Sequence, residues 1–394
     1  MVEHRGAVKL YIVLSSAGGA AQNHTFSNNT LSDEAAAAAA AAAAVAVGDN
    51  NDGSIGAEGL PSGTAMTANG PVPFAGNILD SPDIVWMDDH WTKEEEEEAL
   101  RYVQGKGPPL STFWREKFER EATKSWDLFY RRNAGNFFKD RHYLGKVFPE
   151  LAETDADRNL ANVRRGRLGR RTLLELGCGV GNAVFPLLEE NRGLYVVAVD
   201  LSSRGIEVLK RHPMYTCGRC EASVLDATSD ELPLCVSEDG GVDLVLLQFS
   251  LSAVAPKDMA AVARLVEKAL KPGGQLLVRD YGRHDEAQLR FAKGRRLGDN
   301  VYVRQARTPQ DGTTSYFFSL EDLRHLFCGG STPRPRQDEG DASPRLLRDY
   351  GGGEGANLIE EELSFVRRQY ANRAQKVARR RVWVHGKFRK PTSW

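Results

Sequence analysis

No stretch of this 394-residue chain approaches the roughly 20 apolar residues of a membrane-crossing helix, and the short apolar run from Val8 to Leu14 is broken by Lys9. The sequence therefore predicts neither a membrane span nor a secretory leader. Cysteine is sparse. The five present, Cys178, Cys217, Cys220, Cys235 and Cys328, are an odd number in a long chain, which speaks against a disulfide framework and for a reducing compartment. The eight histidines form no cluster with ligand spacing, and Cys217-Gly218-Arg219-Cys220 is half a zinc site with no second pair, so no metal is expected. Aromatics are scarce before residue 77, where Ala, Gly, Ser and Asn dominate and Ala35 to Ala44 is pure alanine. With little to bury, residues 1–76 are expected to be disordered. Acidic residues are missing after Glu362, a stretch that carries ten basic ones, among them Arg367, Arg368, Arg379, Arg380 and Arg381. That imbalance suggests a phosphate-rich partner, with a merely solvated basic surface as the competing reading.

What is present divides the chain. Residues 77–165 read as a helical N-terminal extension: Thr92 and Glu95 have capping-box spacing, and Phe113 to Phe129 carries helical periodicity. Residues 166–391 alternate short apolar runs with helical stretches, the mark of a parallel sheet with crossover helices. Strands are predicted at Thr172–Leu176, Tyr195–Asp200, Ala222–Leu225, Val242–Phe249 and Gln275–Asp280, with helices at Asn182–Glu190, Ser203–Arg211 and Pro256–Leu270. Runs at Val301–Arg304, Tyr316–Phe318 and Arg381–Phe388 are candidates to complete the sheet, and the Gly, Pro and Arg content of 329–356 marks a mobile surface insertion.

The segment Glu175-Leu176-Gly177-Cys178-Gly179-Val180-Gly181-Asn182 follows a strand and opens a helix, a setting in which a ligand can approach bare backbone. The dinucleotide fingerprint needs a glycine where Asn182 stands. Glu175 beside the loop would repel pyrophosphate, yet it suits a cofactor carrying an amino group and a sulfonium. Asp200 ends the next strand, where a carboxylate can accept from ribose hydroxyls, and Asp226 ends the third, within reach of an adenine amino group. These residues, with Lys271-Pro272-Gly273-Gly274 before the fifth strand, favour S-adenosylmethionine over NAD. The expected fold class is α/β: a Rossmann-like class I methyltransferase with a mostly parallel seven-stranded sheet and a helical N-terminal extension.

At Trp126-Asp127-Leu128-Phe129-Tyr130, Asn136-Phe137-Phe138-Lys139-Asp140-Arg141-His142 and Arg279-Asp280-Tyr281-Gly282 the chain resembles the methyltransferase-like tRNA 3-methylcytidine methyltransferases. The likeness continues through Phe249 to Val254, Leu289 to Phe291, Tyr302 to Gln305, Tyr316 to Phe318 and Arg381 to Trp383, covering most of residues 80–391. It implies methylation of cytosine at position 32 of the anticodon loop of certain tRNAs, with S-adenosylmethionine as cofactor. It carries cofactor contacts onto Trp126, Tyr130, Gly177, Asp200, Asp226, Ala227 and Gln248, and Gly179 belongs to the same loop. Two departures stand out. The family runs from Tyr-Val-Arg-Gln directly into Asp-Gly-Thr-Arg, whereas here Ala306 to Gln310 intervene and Thr314 replaces the arginine; and Gln248 stands where the family has an apolar residue.

Chemistry assigns roles to the remaining residues of these motifs. N3 of cytosine already carries a lone pair, so positioning rather than a base should supply most of the rate. Asp280 is the candidate to stabilise the cationic product, Tyr281 and Phe138 to stack on the base, and Arg141, Lys139 and the basic C-terminal segment to hold phosphates. Asp140 with Arg141 also suits an internal ion pair. A protein or small-molecule methyltransferase of the same fold, and a non-catalytic RNA-binding subunit, are the alternatives; intact Gly177, Gly179, Asp200, Asp226 and Asp280 argue against the latter. The partner expected is tRNA, and some relatives work with an accessory protein such as seryl-tRNA synthetase. Cytoplasm is the expected location, since Glu3 and the lack of an Arg-rich start do not suit a mitochondrial presequence, although nuclear or mitochondrial pools remain open.

Overall fold

The computed structural model describes residues 64–67, 70–73, 77–80, 84–133, 135, 137–161, 167, 169–237, 240–305, 312–329, 353–373 and 375–392. The expected disorder of residues 1–63, the expected mobility of 330–352 and the inserted Ala306–Gln310 fall outside them.

The N-terminal extension is not purely helical. Strands β1 (Thr64–Thr67) and β2 (Gly70–Pro73) pair as a hairpin inside the region expected to be disordered, and β3 (Ile84–Asp88) follows. Helix α1 (Lys93–Gln104) then starts at the foreseen capping box: Thr92 Oγ1 accepts from the Glu95 amide at 3.3 Å, and Glu95 Oε2 from the Thr92 amide at 2.8 Å. Glu94, Glu95 and Glu96 in its first turn face the positive end of the helix dipole. The run from Phe113 to Phe129 breaks into α2 (Thr112–Arg120) and α3 (Ala122–Asn133).

In the α/β domain the strands β4 (Arg171–Leu176), β5 (Leu194–Asp200), β6 (Cys220–Val224), β7 (Val242–Gln248) and β8 (Leu270–Tyr281) pair in parallel. β5 and β7 are almost wholly apolar because both faces of the sheet are covered. One face, with Leu174, Val197, Val245 and Leu276, packs on helices Met259–Ala269 and Leu320–Phe327; the other, with Leu173, Val196, Leu244 and Leu277, packs on Val184–Glu190, Ser203–Lys210 and the segment Tyr143–Leu151.

Strands β9 (Arg296–Gly298), β10 (Val301–Gln305) and β11 (Gly312–Tyr316) form a separate three-stranded sheet. The expectation that Val301–Arg304 and Tyr316–Phe318 would complete the main sheet is thus corrected; Phe317 and Phe318 follow the last strand, with both rings buried. Completion comes instead from a long hairpin, β12 (Ile359–Asn372) and β13 (Val377–Arg389), the former unforeseen because its charged residues mask its period. Antiparallel β13 lies against β8. The order β6-β5-β4-β7-β8-β13-β12 gives the expected seven strands, and β3, β1 and β2 extend that edge to ten among the described residues.

The hairpin also corrects the reading of the basic segment. Arg367 and Arg368 pair with Glu96 and Asp88, Arg379 with Glu286, Arg380 with Asp89 and Glu95, and Arg381 with Asp285. Lys387 joins Glu150 and Glu362, and Lys390 donates to the carbonyls of Glu267 and Leu270. These cations are consumed in holding the hairpin to the N-terminal extension and to the α/β domain, so net charge along the sequence misrepresents the surface.

Candidate active site

A cavity of about 1170 Å³ opens where β4, β5, β6, β7 and β8 end, the edge at which open parallel sheets bind ligands. Every residue expected to touch a cofactor borders it: Trp126, Tyr130, Gly177, Gly179, Asp200, Asp226, Ala227 and Gln248. So do Tyr281, Phe138 and Arg141.

The glycine loop turns tightly at Gly177, with φ +80°, and a Cβ there would fall 2.4 Å from the Ser250 side chain, so the position excludes any larger residue. Gly179 donates its amide to Asp200 Oδ2 at 2.7 Å, and the amide of Ser202 serves Oδ1 at 2.8 Å. Asp200 thereby ties the loop to the start of the next helix while its carboxylate borders the cavity. Burial pushes its acid up to about 6, against the pull of those two amides. Burial and the neighbouring Asp200 raise Glu175 further, to about 8, although Arg141 acts the other way. Glu175 Oε2 has no hydrogen-bond partner. Asp226 Oδ1 accepts from the Thr228 amide at 2.9 Å and its hydroxyl at 2.6 Å. This end of the cavity, acidic and lined by bare backbone, suits a ligand with hydroxyls and positive charge and repels phosphate.

Asn182 has a part that its place in the fingerprint does not reveal. Its side-chain amide donates to the Phe138 carbonyl at 3.1 Å and to Asp140 Oδ1 at 3.0 Å, and its backbone carbonyl accepts the Arg141 amide at 2.8 Å. The glycine loop therefore grips the Phe137–Arg141 segment. Asp140 serves that grip. Tyr130 lies over Gly179 and stacks on Trp126, centroids 5.8 Å apart.

The other end of the cavity is aromatic and basic. Phe249 and Tyr281 approach to 5.0 Å between centroids; the Arg141 guanidinium lies over Phe249 at 5.6 Å and that of Arg304 over Tyr281 at 5.3 Å. In the sequence Arg304 stands out only as part of a family motif; it reaches the cavity because β10 brings it there, where Ser315 Oγ accepts from its Nε at 2.9 Å. Arg115, Arg120, Arg132, Arg290 and Arg295 also border the cavity. Thr314, in place of the family's arginine, donates to the Ala253 carbonyl at 3.2 Å.

Asp280 does not face this space. It is fully buried, and its carboxylate accepts from the amides of Ser252 at 2.9 Å and Tyr281 at 2.8 Å, which fixes the loop after β7 from beneath. Burial lifts its acid to about 6. Cys178 is buried in the glycine loop, its thiol pushed up by burial and by Asp200 and Glu175, the opposite of what a nucleophile requires. All five cysteines are free, and no cluster among the described residues has the composition of a metal site.

Residues 174–276 match a family model described as a methyltransferase domain. Over 297 residues the chain is 42% identical to the tRNA N(3)-cytidine methyltransferase METTL6 of Mus musculus, covering 75% of this chain and 90% of that protein. It is 38% identical over 311 residues to the tRNA N(3)-methylcytidine methyltransferase Mettl2 of Drosophila melanogaster, covering 78% and 83%. Among solved structures, a SAM-dependent methyltransferase from Anabaena variabilis overlays with a TM-score of 0.42 at 11% identity, covering 68% of this chain and 94% of that one. Identity at this level, spread over three quarters of the chain and nearly the full length of its relatives, places the chain in the tRNA N(3)-cytidine methyltransferase family.

Proposed function

We propose that this enzyme methylates N3 of a cytosine in tRNA, at position 32 of the anticodon loop, with S-adenosylmethionine as methyl donor. The observation that carries the reading is the division of one cavity into an acidic end, Glu175, Asp200 and Asp226, and an aromatic, arginine-lined end around Phe249 and Tyr281. The acidic end fits the donor: the partnerless oxygen of Glu175 suits an ammonium, and Asp200 and Asp226 suit ribose hydroxyls and an adenine amine. When bound, the donor supplies an electrophilic methyl group on a sulfonium.

The protein's part is positioning. N3 lies on the Watson-Crick edge, so the nucleotide must be unpaired or flipped, and the faces of Phe138, Phe249 and Tyr281 offer stacking surfaces for an extruded base. No base is needed, since N3 attacks through its own lone pair; the methylated ring gains a positive charge, which aromatic faces tolerate. Asp280 acts at one remove, by holding the loop that carries Phe249 and Ser252 in place. Arg115, Arg120, Arg132, Arg290 and Arg295 supply the positive rim for phosphates.

The test is incubation of the purified chain with S-adenosylmethionine and total tRNA from cells lacking the enzyme, followed by nucleoside mass spectrometry. A rise in 3-methylcytidine is expected; no rise, with or without added seryl-tRNA synthetase, would overturn the reading.

A further inference from the structure

The motif Trp126-Asp127-Leu128-Phe129-Tyr130 brings three aromatic rings to the cavity, but Asp127 does not border it. Its Oδ1 instead accepts from the Ser202 hydroxyl at 2.5 Å and from the Arg204 amide at 3.3 Å. Ser202 caps the helix Ser203–Lys210, and Arg204 lies in its first turn. Unpaired amides and the helix dipole both favour a carboxylate at that end. Asp127 therefore fastens α3 to the start of a helix more than seventy residues further along the chain.

The fastening leads straight to the acidic end of the cavity. Ser202 is fully buried; its hydroxyl also accepts the Gly205 amide at 3.1 Å, and its own amide donates to Asp200. Asp200 in turn takes the Gly179 amide, so one chain of hydrogen bonds runs from Asp127 through Ser202 and Asp200 to the glycine loop. After burial and against the pull of the two amides, the charge of Asp127 is what helps to lift the Asp200 acid. Tyr130, three residues on and so on the same face of α3, fills a slot that two glycines leave open. A Cβ on Gly179 would fall 2.7 Å from its hydroxyl, and one on Gly205 would fall 3.2 Å from its ring. Trp126 then stacks on Tyr130 at the cavity wall.

We infer that Asp127 is a positioning residue for the methyl donor, seating α3 on the helix Ser203–Lys210 so that Trp126 and Tyr130 close over the donor end of the cavity. The inference rests on S-adenosylmethionine as the donor in the proposed function. With the seat in place both rings are ordered before the donor arrives; without it, binding has to order them and loses affinity accordingly. The base end has an anchor of its own in Asn182, which grips the Phe137–Arg141 segment. The N-terminal extension is thus tied down twice, by Asp127 for the donor and by Asn182 for the base.

The test begins with the wild-type full chain, by hydrogen exchange and mass spectrometry with and without S-adenosylhomocysteine. Peptides of α3 are expected to exchange more slowly with the ligand bound; unchanged exchange there overturns the inference. Asp127→Ala should then weaken S-adenosylhomocysteine binding in calorimetry by about tenfold, the size of one hydrogen bond to a charged group. In turnover it should raise KM for S-adenosylmethionine by more than it lowers kcat. Asp127→Asn keeps an oxygen that can accept from both Ser202 and Arg204, and should recover most of the affinity. A carboxylate that served the fold alone would lower the melting temperature and leave donor affinity unmoved. Wild-type affinity in Asp127→Ala, or an Asp127→Asn no better than Asp127→Ala, therefore overturns the assignment. No RNA enters the exchange and calorimetry, so a wild type that binds S-adenosylhomocysteine but forms no 3-methylcytidine overturns the proposed target base alone. A wild type that does not bind it overturns the donor, and this inference with it.

Discussion

Asp280 and Glu175 are both fully shielded carboxylates at strand ends, yet their surroundings assign them opposite tasks. The oxygens of Asp280 are taken by backbone amides, so Asp280→Ala strands two buried donors, each costing about 1–3 kcal/mol. The expected outcome is a marked fall in melting temperature together with lost turnover; a variant as stable as the wild type but inactive would return Asp280 to the chemistry. Glu175 and Asp200, with ordinary values of 4.5 and 3.8, are raised to about 8 and about 6. Between the ordinary and raised values the folded protein retains protons that the unfolded chain has released, so stability without donor falls as pH rises from about 4 to about 8. Thermal melts across that range should show the decline, and Glu175→Gln should flatten its upper part. A cationic ligand relieves the burial of these charges, so S-adenosylmethionine should raise the melting temperature more at the alkaline end.

At the level of elements, the positions of the parallel strands were legible because burial on both faces writes the central ones, β5 and β7 above all, as nearly unbroken apolar runs, whereas their order in the sheet was not. β12 was not, since a strand that exchanges charged side chains with α1 and β3 has no apolar period to read. The glycine loop was legible as a ligand cradle, but the second task of Asn182 was hidden, because its partners Phe138 and Asp140 lie more than forty residues upstream. Asn182→Ala removes both side-chain bonds and frees the Phe137–Arg141 segment from the loop. It is expected to lower kcat/KM for tRNA by about tenfold, an amount equivalent to one or two ordinary hydrogen bonds, while calorimetry shows little change in donor affinity. Equal losses in both would place Asn182 at the donor instead. Asp280 was misjudged for a related reason: spacing locates a carboxylate at a strand end but does not say whether its oxygens face the ligand or a backbone amide.

Across the whole molecule, the acidic start of α1 and the basic hairpin neutralise one another, which is why charge counted along the chain suggested a free basic patch. Arg380 stands at the centre, bonded to Asp89 and Glu95 and stacked over Trp91 at 4.6 Å. Arg380→Glu should lower stability on the order of 2 kcal/mol, with the melting temperature falling, while the salt dependence of tRNA binding changes little; a shallower salt slope with unaltered stability would restore the phosphate-binding role. The topology that demands this pairing also has a temporal side. β12 lies between β3 and β13, so the edge formed by β1–β3 docks on chain made far later: Gln369 meets Asp89 across a separation of 280 residues. During synthesis the outer edge of β3 must wait, unpaired, until the hairpin has left the ribosome, and the wall of the cavity to which that hairpin contributes Arg379, Arg381 and Trp383 cannot assemble before then. A nascent chain stalled short of the hairpin would thus expose a sticky edge to chaperones while being unable to engage RNA.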